Sequence, residues 1–154
     1  MSRSCLTGWT MIDEMCLLQS TRCLDYDRAA DFCEDNGGKL PSVLSKREND
    51  IMFHFSKHGF WTGYEKINGS WQWLDGNKSN FTFWGVGHPR NNRAHVMVNE
   101  TGEWISVDNG KCAYAVCTNR GINPFNASTE ARKGDLMHHN SSKNLLSAHS
   151  RLEF

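Results

Sequence analysis

The 154-residue chain has no surplus of charge of either sign: 17 Lys and Arg stand against 17 Asp and Glu, with seven His besides. A protein that grips a nucleic-acid backbone needs a cationic surplus, because counterion release drives its binding. The balance therefore argues against a nucleic-acid partner. Long apolar runs are missing too. No stretch approaches the roughly 20 apolar residues of a membrane span, and Met1 to Thr7 lack the apolar segment of a secretory signal. Nor is there a Gly-x-Ser-x-Gly elbow, a His-Glu-x-x-His pair or a phosphate-cradling glycine loop. One further absence is local. From Asn77 through Asn99 there is no Asp or Glu, although Lys78, Arg90 and Arg93 are present.

What the chain does have is cysteine and aromatic side chains. Six Trp and eight Phe give a small domain large burial per residue. Six Cys point to an oxidising compartment, and the even count permits three disulfides with the connectivity left open. If all six pair, no thiol remains as a nucleophile, and an enzyme is not expected. Asn-x-Ser/Thr sequons at Asn68, Asn77, Asn80, Asn99, Asn126 and Asn140 exceed the roughly two that 14 Asn would give by chance. Secretion or an extracellular location is the expectation, with a natural N-terminus upstream of Met1.

All Cys, Trp and Tyr residues precede Thr118, and the 37 residues after Cys117 are rich in Asn, Ser, His and basic side chains. Such a composition cannot bury enough to order itself. Residues 1–117 are expected to fold and 118–154 to form a disordered polar tail. Within the folded unit, Gly8 to Leu18 reads as a strand or hairpin. Asp25 is placed to cap a helix in which Tyr26, Ala29, Ala30 and Cys33 recur at i, i+3, i+4 and i+7, stopped by Gly37 and Gly38. Ser45 and Glu48 form a capping box for a second helix carrying Ile51, Met52 and Phe55, with Gly59 as its expected stop. Strands are expected at 60–64, 70–74, 95–98 and 113–117, with turns at Asn68-Gly69 and Asp75-Gly76. The aperiodic stretch between Asn77 and Asn99 is long enough to be a functional loop.

Several linked elements carry a resemblance. They are Cys5, Gly8-Trp9 and Cys16; the helix to Cys33 followed by Gly37-Gly38-Lys39-Leu40; and Phe60-Trp61-Thr62-Gly63-Tyr64. Next come Gly69-Ser70-Trp71-Gln72-Trp73-Leu74-Asp75-Gly76, Phe83-Trp84, Gly87-His88-Pro89, Gly102-Glu103-Trp104 and Tyr114-Ala115-Val116-Cys117. In this order and spacing, residues 5–117 resemble a C-type lectin-like domain of the long form. The resemblance implies an α+β fold with two helices, small antiparallel sheets, paired terminal strands, a long projecting loop and disulfide staples. It implies bridges Cys5–Cys16 and Cys33–Cys117. The slots of the family's second core bridge hold His95 and Asn109, so that bridge is missing. The implied antiparallel terminal strands bring Cys23 near Cys112, and a bridge is predicted there too. It also implies that Trp61, Trp71, Trp73, Trp84 and Trp104 are core, and that Pro89 stands where the family often has a cis peptide bond.

Sugar-binding members of that family hold calcium with Glu-Pro-Asn or Gln-Pro-Asp, a further Glu, and Trp-Asn-Asp. The matching residues here are His88-Pro89-Arg90, Arg93-Ala94 and Trp104-Ile105-Ser106. Calcium wants six to eight oxygens, several of them carboxylates, so no metal or other cofactor is expected. His88, Arg90, Arg93 and His95 instead suggest a cationic patch, and guanidinium groups suit sulfate, phosphate or carboxylate. The expected ligand-binding residues are His88, Arg90, Asn91 and Arg93, with His88 tuning the charge with pH. The partner is expected to be an acidic glycan bound without calcium; the alternative is an acidic protein surface, in a protein–protein interaction module.

Overall fold

A computed structural model describes residues 4–119. Of the expected tail 118–154, Thr118 pairs with Leu17 in the sheet and Asn119 is buried; the remainder, with the sequons Asn126 and Asn140, lies outside the described residues. The chain opens with a hairpin of β1 (Thr10–Ile12) and β2 (Met15–Gln19). Helix α1 (Tyr26–Asp35) starts where the extended Asp25 accepts the Arg28 N–H at 2.9 Å. It ends as Gly37, at φ 92°, turns the chain and the Gly38 N–H returns to the Cys33 carbonyl at 2.9 Å. Gly38 is demanded by packing, since a Cβ there would stand 2.5 Å from both the Thr118 carbonyl oxygen and the Trp9 ring.

Helix α2 (Lys46–Ser56) begins at Ser45, whose Oγ accepts the Glu48 N–H at 3.1 Å. The Glu48 carboxylate reaches back one residue further than a capping box prescribes, to the Leu44 N–H at 3.0 Å. Its stop is not Gly59. Lys57 takes the left-handed conformation, φ 63°, and closes the helix. Gly59 serves packing instead, as a Cβ there would crowd the Val98 carbonyl oxygen at 3.1 Å as well as the movable Met97 Cε at 2.8 Å.

Strands β3 (Phe60–Ile67) and β4 (Ser70–Trp73) are joined at Asn68-Gly69, both at positive φ, the geometry that matches strand twist in a two-residue hairpin. After the long loop come β5 (His95–Val98), β6 (Trp104–Val107) and β7 (Tyr114–Thr118). The sheet order is β1-β2-β7-β3-β5-β6, with β4 on the outer part of β3. β2 and β7 run antiparallel, as terminal strands of the family should. The pairings are not all antiparallel: β3 and β7 pair in parallel through Phe60–Tyr114 and Trp61–Ala115, which joins the sheets into one path. β6 was not expected from the sequence.

One core cluster packs α1, through Tyr26, Ala29, Phe32 and Cys33, against Leu40, Trp61 and Ala115. The other gathers Leu17, Met52, Phe60, Tyr64, Trp73, Val96, Trp104 and Val116 between α2 and the sheet. Asn49 is buried in the second, donating to the Gly102 carbonyl and accepting the Trp104 indole N–H, both at 2.8 Å. Disulfides join Cys5–Cys16, Cys23–Cys112 and Cys33–Cys117, with Cα separations of 5.6, 5.4 and 5.3 Å. The two that span 89 and 84 residues contribute a few kcal/mol each by constraining the unfolded chain, on the loop-entropy account.

Candidate functional site

The loop between β4 and β5 is irregular yet held by hydrogen bonds at several points. Asp75, Asn77 and Ser79 each accept the backbone N–H two residues on, at 3.0, 2.8 and 3.2 Å. Asp75 also accepts a hydrogen bond from the buried Ser42 hydroxyl, and the Trp73 indole N–H caps the Ser79 carbonyl. This alternation of short polar side chains, each forming an Asx- or Ser-type turn, replaces the ladder a strand would have. The loop is then pinned to β6: Trp104 N–H donates to the Phe83 carbonyl at 3.0 Å and Gly85 N–H to the Trp104 carbonyl at 2.9 Å. Those bonds explain β6, four residues sandwiched between the loop and β5.

Beyond Gly85 the chain turns at Gly87 and passes through a cis His88–Pro89 peptide. The buried Ser106 on β6 meets it there. Its backbone N–H donates to His88 Nδ1 at 3.0 Å, its hydroxyl lies 3.0 Å from the same nitrogen, and its Oγ accepts the Arg90 N–H at 2.7 Å. Since Nδ1 accepts, the ring proton of neutral His88 sits on Nε2. Burial, and secondarily the Arg90 charge, hold its pKa below the ordinary histidine value. His88 therefore positions the loop as a neutral group, and the charge at the tip comes from arginine.

Arg90 and Asn91 are exposed and Arg93 is half-buried. A further cation joins them that the sequence did not single out: Lys66 on β3, whose Nζ lies 3.4 Å from the Asn91 carbonyl and whose backbone N–H donates to Ala94 at 2.9 Å. The signal was available only in the pairing of β3 with the strand that follows the loop. His95 does not join the patch. Its ring stacks on Tyr26 at 3.8 Å, its Nδ1 is buried without a hydrogen-bond partner, and burial lowers its pKa against the opposing pull of Glu65, Asp27 and Asp108. The Asn109 carbonyl accepts the Tyr26 N–H at 3.0 Å. The residues in both slots of the missing bridge thus contact Tyr26, one at its ring and one at its backbone.

Of the positions matching calcium ligands, His88, Arg90, Arg93, Ile105 and Ser106 include no carboxylate, and His88 and Ser106 are bonded to each other. This donor set does not fit calcium, which needs carboxylate-rich oxygen coordination. Among the sequons, Asn68 at the hairpin tip and Asn80 are exposed, while the half-buried Asn77 and Asn99 use Oδ1 in local turns.

The profile of the Lectin C-type domain matches residues 23–119. The chain belongs to the C-type lectin domain family, a family of recognition modules. It is 32% identical over 119 residues to the hepatic lectin of Gallus gallus, a match covering 71% of this chain and 56% of that protein. The fold is similar to the cow C-type carbohydrate-recognition domain of CD23, determined in the presence of a GlcNAc2Man3 oligosaccharide. The TM-score is 0.70 at 23% identity, over 77% of this chain and 97% of that one. It is also similar to a calcium-independent type II antifreeze protein, with TM-score 0.69 at 21% identity over 75% and 94% of the two chains. The chain spans little more than half of the chicken relative. No helix among the described residues is long and apolar enough to cross a membrane.

Proposed function

We propose that the chain is a secreted or extracellular glycan-recognition domain that binds an acidic glycan without calcium, through Arg90, Asn91 and Arg93. The observation that carries this reading is the bonding of His88 and Ser106 to each other, where sugar-binding members of the family have calcium ligands. The same contact fixes the Arg90 backbone and leaves its guanidinium in solvent. A planar guanidinium recognises sulfate or carboxylate by paired hydrogen bonds, and no Asp or Glu lies between Asn77 and Asn99 to neutralise it. The structural relative described as a calcium-independent antifreeze protein is an instance of this fold named for working without the ion.

The test is a glycan array carrying sulfated, sialylated and neutral glycans, probed in chelator with the natural chain and with Arg90→Gln/Arg93→Gln. Retention of sulfated or sialylated glycans by the natural chain and their loss from the variant is the expected pattern. Calcium-dependent retention of neutral glycans, or retention of an acidic protein alone, overturns the reading.

A further inference from the structure

We infer that Trp71, Trp84 and Lys66 form a stacking subsite for the ring of an anionic sugar, beside the loop tip. The inference rests on the acidic-glycan reading and names a second part of that site. On one face of the β3–β4 hairpin, Tyr64 is paired with Trp73 and Lys66 with Trp71. The inner pair is buried; the outer pair, nearer the turn, is half-exposed. Trp84, arriving from the loop, lies 5.4 Å from Trp71 with the ring planes inclined at 59°, so the two indoles form an open V.

Their hydrogen bonds separate these indoles from Trp61, Trp73 and Trp104. Trp61 donates its N–H to the Leu24 carbonyl, Trp73 to Ser79 and Trp104 to Asn49. Among the described residues, Trp71 and Trp84 have no such acceptor, and both keep part of their surface in solvent. A half-exposed indole with a free N–H suits a ligand with one apolar face and a hydroxyl rim, which is the anatomy of a pyranose. Lys66 supplies the charge. Its Nζ stands 5.9 Å from the Trp71 ring centre and 3.4 Å from the Asn91 carbonyl, linking the indoles to the Arg90 tip. Next to Trp84, Gly85 leads to the fully exposed Val86, while Tyr64, 5.4 Å from Trp71 and 6.2 Å from Trp84, floors the V. A sugar with its C–H face on an indole and its sulfate or carboxylate on Lys66 and Arg90 uses every one of these groups. A neutral sugar leaves both cations unused.

The experiment is a titration of the 15N-labelled full chain with a heparin-derived tetrasaccharide in chelator, a desulfated tetrasaccharide serving as the comparison. The indole N–H signals of Trp71 and Trp84 are expected to shift saturably with the sulfated probe, while those of Trp61 and Trp104 stay. Trp84→Leu, which retains apolar bulk, and Lys66→Gln are each expected to weaken binding about tenfold. Saturable binding that Arg90→Gln removes, with the Trp71 and Trp84 signals unmoved, overturns the subsite and leaves the loop reading standing. No saturable response from any signal overturns both. Because the titration uses the natural sequence, its outcome holds even if a Trp variant fails to fold.

Discussion

Replacing Ser106 with Ala tests the contact that holds the loop. Ser106 is 2% exposed and its side chain has two partners, the Arg90 N–H at 2.7 Å and His88 Nδ1 at 3.0 Å. Each neutral hydrogen bond is worth about 1 kcal/mol net, and the one lone pair of His88 Nδ1 is shared with the Ser106 N–H, so the variant should lose about 1–2 kcal/mol. The full desolvation penalty is not added at Arg90, because its backbone lies in an exposed segment where water can replace the serine. His88→Ala removes the same shared bond and also leaves the Ser106 N–H without its acceptor, a buried orphan costing about 1–3 kcal/mol. Since the Ser106–His88 bond is lost in either variant, the double variant should be less damaged than the sum by about 1 kcal/mol. Urea unfolding midpoints of the four proteins measure this coupling, and amide exchange at Arg90 reports whether the tip has been released. Additive losses together with unchanged exchange at Arg90 would refute the claim that this contact organises the loop.

Three further outcomes follow from the same structure. Asn49→Ala strands the Trp104 indole N–H and the Gly102 carbonyl inside the core and should cost about 2–5 kcal/mol; a loss below about 1 kcal/mol in urea unfolding contradicts the assigned role. His88 and His95 both have folded pKa values below the ordinary one, so the unfolded chain takes up more protons than the folded one in this range. Their contribution is complete above the unfolded value of about 6.5 and is lost as pH falls through the folded values. The double variant His88→Gln/His95→Gln should flatten the slope of unfolding free energy between about pH 7 and 5; an unchanged slope rejects the assignment. In the β1–β2 turn Asp13 and Glu14 both have positive φ, 52° and 69°, a strained choice for non-glycine residues. Glu14→Gly should raise stability by about 0.5–1 kcal/mol, and a fall in the melting temperature counts against it.

Where a structural feature is set by neighbours in the chain, it was legible. Asp25 and Ser45 announce the helices because a cap acts within three residues, and Asn68-Gly69 announces its turn because only positive φ fits there. Cys23 and Cys112 were matched through the expected pairing of the terminal strands. β6 escaped because four residues carry too short a pattern, and its partners are β5 and a loop segment some 20 positions earlier. The stop of α2 was misplaced because Gly59 has a steric reason to be glycine that lies in β5. At the candidate site, the arginines stand out as charges, but the fate of a histidine depends on its surroundings. His95 looks cationic in the sequence and is turned inward by Tyr26 from a helix that precedes it by 69 residues. His88 is tied down by a serine 18 residues later, and burial, with Arg90 beside it, lowers its pKa. Lys66 reaches the loop tip through the pairing of β3 with β5.

The central claim is recognition of acidic sugar by loop cations with no metal involved. Its most direct measurement is the dissociation constant of a heparin-derived tetrasaccharide, taken by titration calorimetry in chelator at low and high salt, and again with calcium added. The account predicts the same affinity with calcium as with chelator, and a marked weakening as salt screens the exposed charges. Affinity that requires calcium and is indifferent to salt would contradict it.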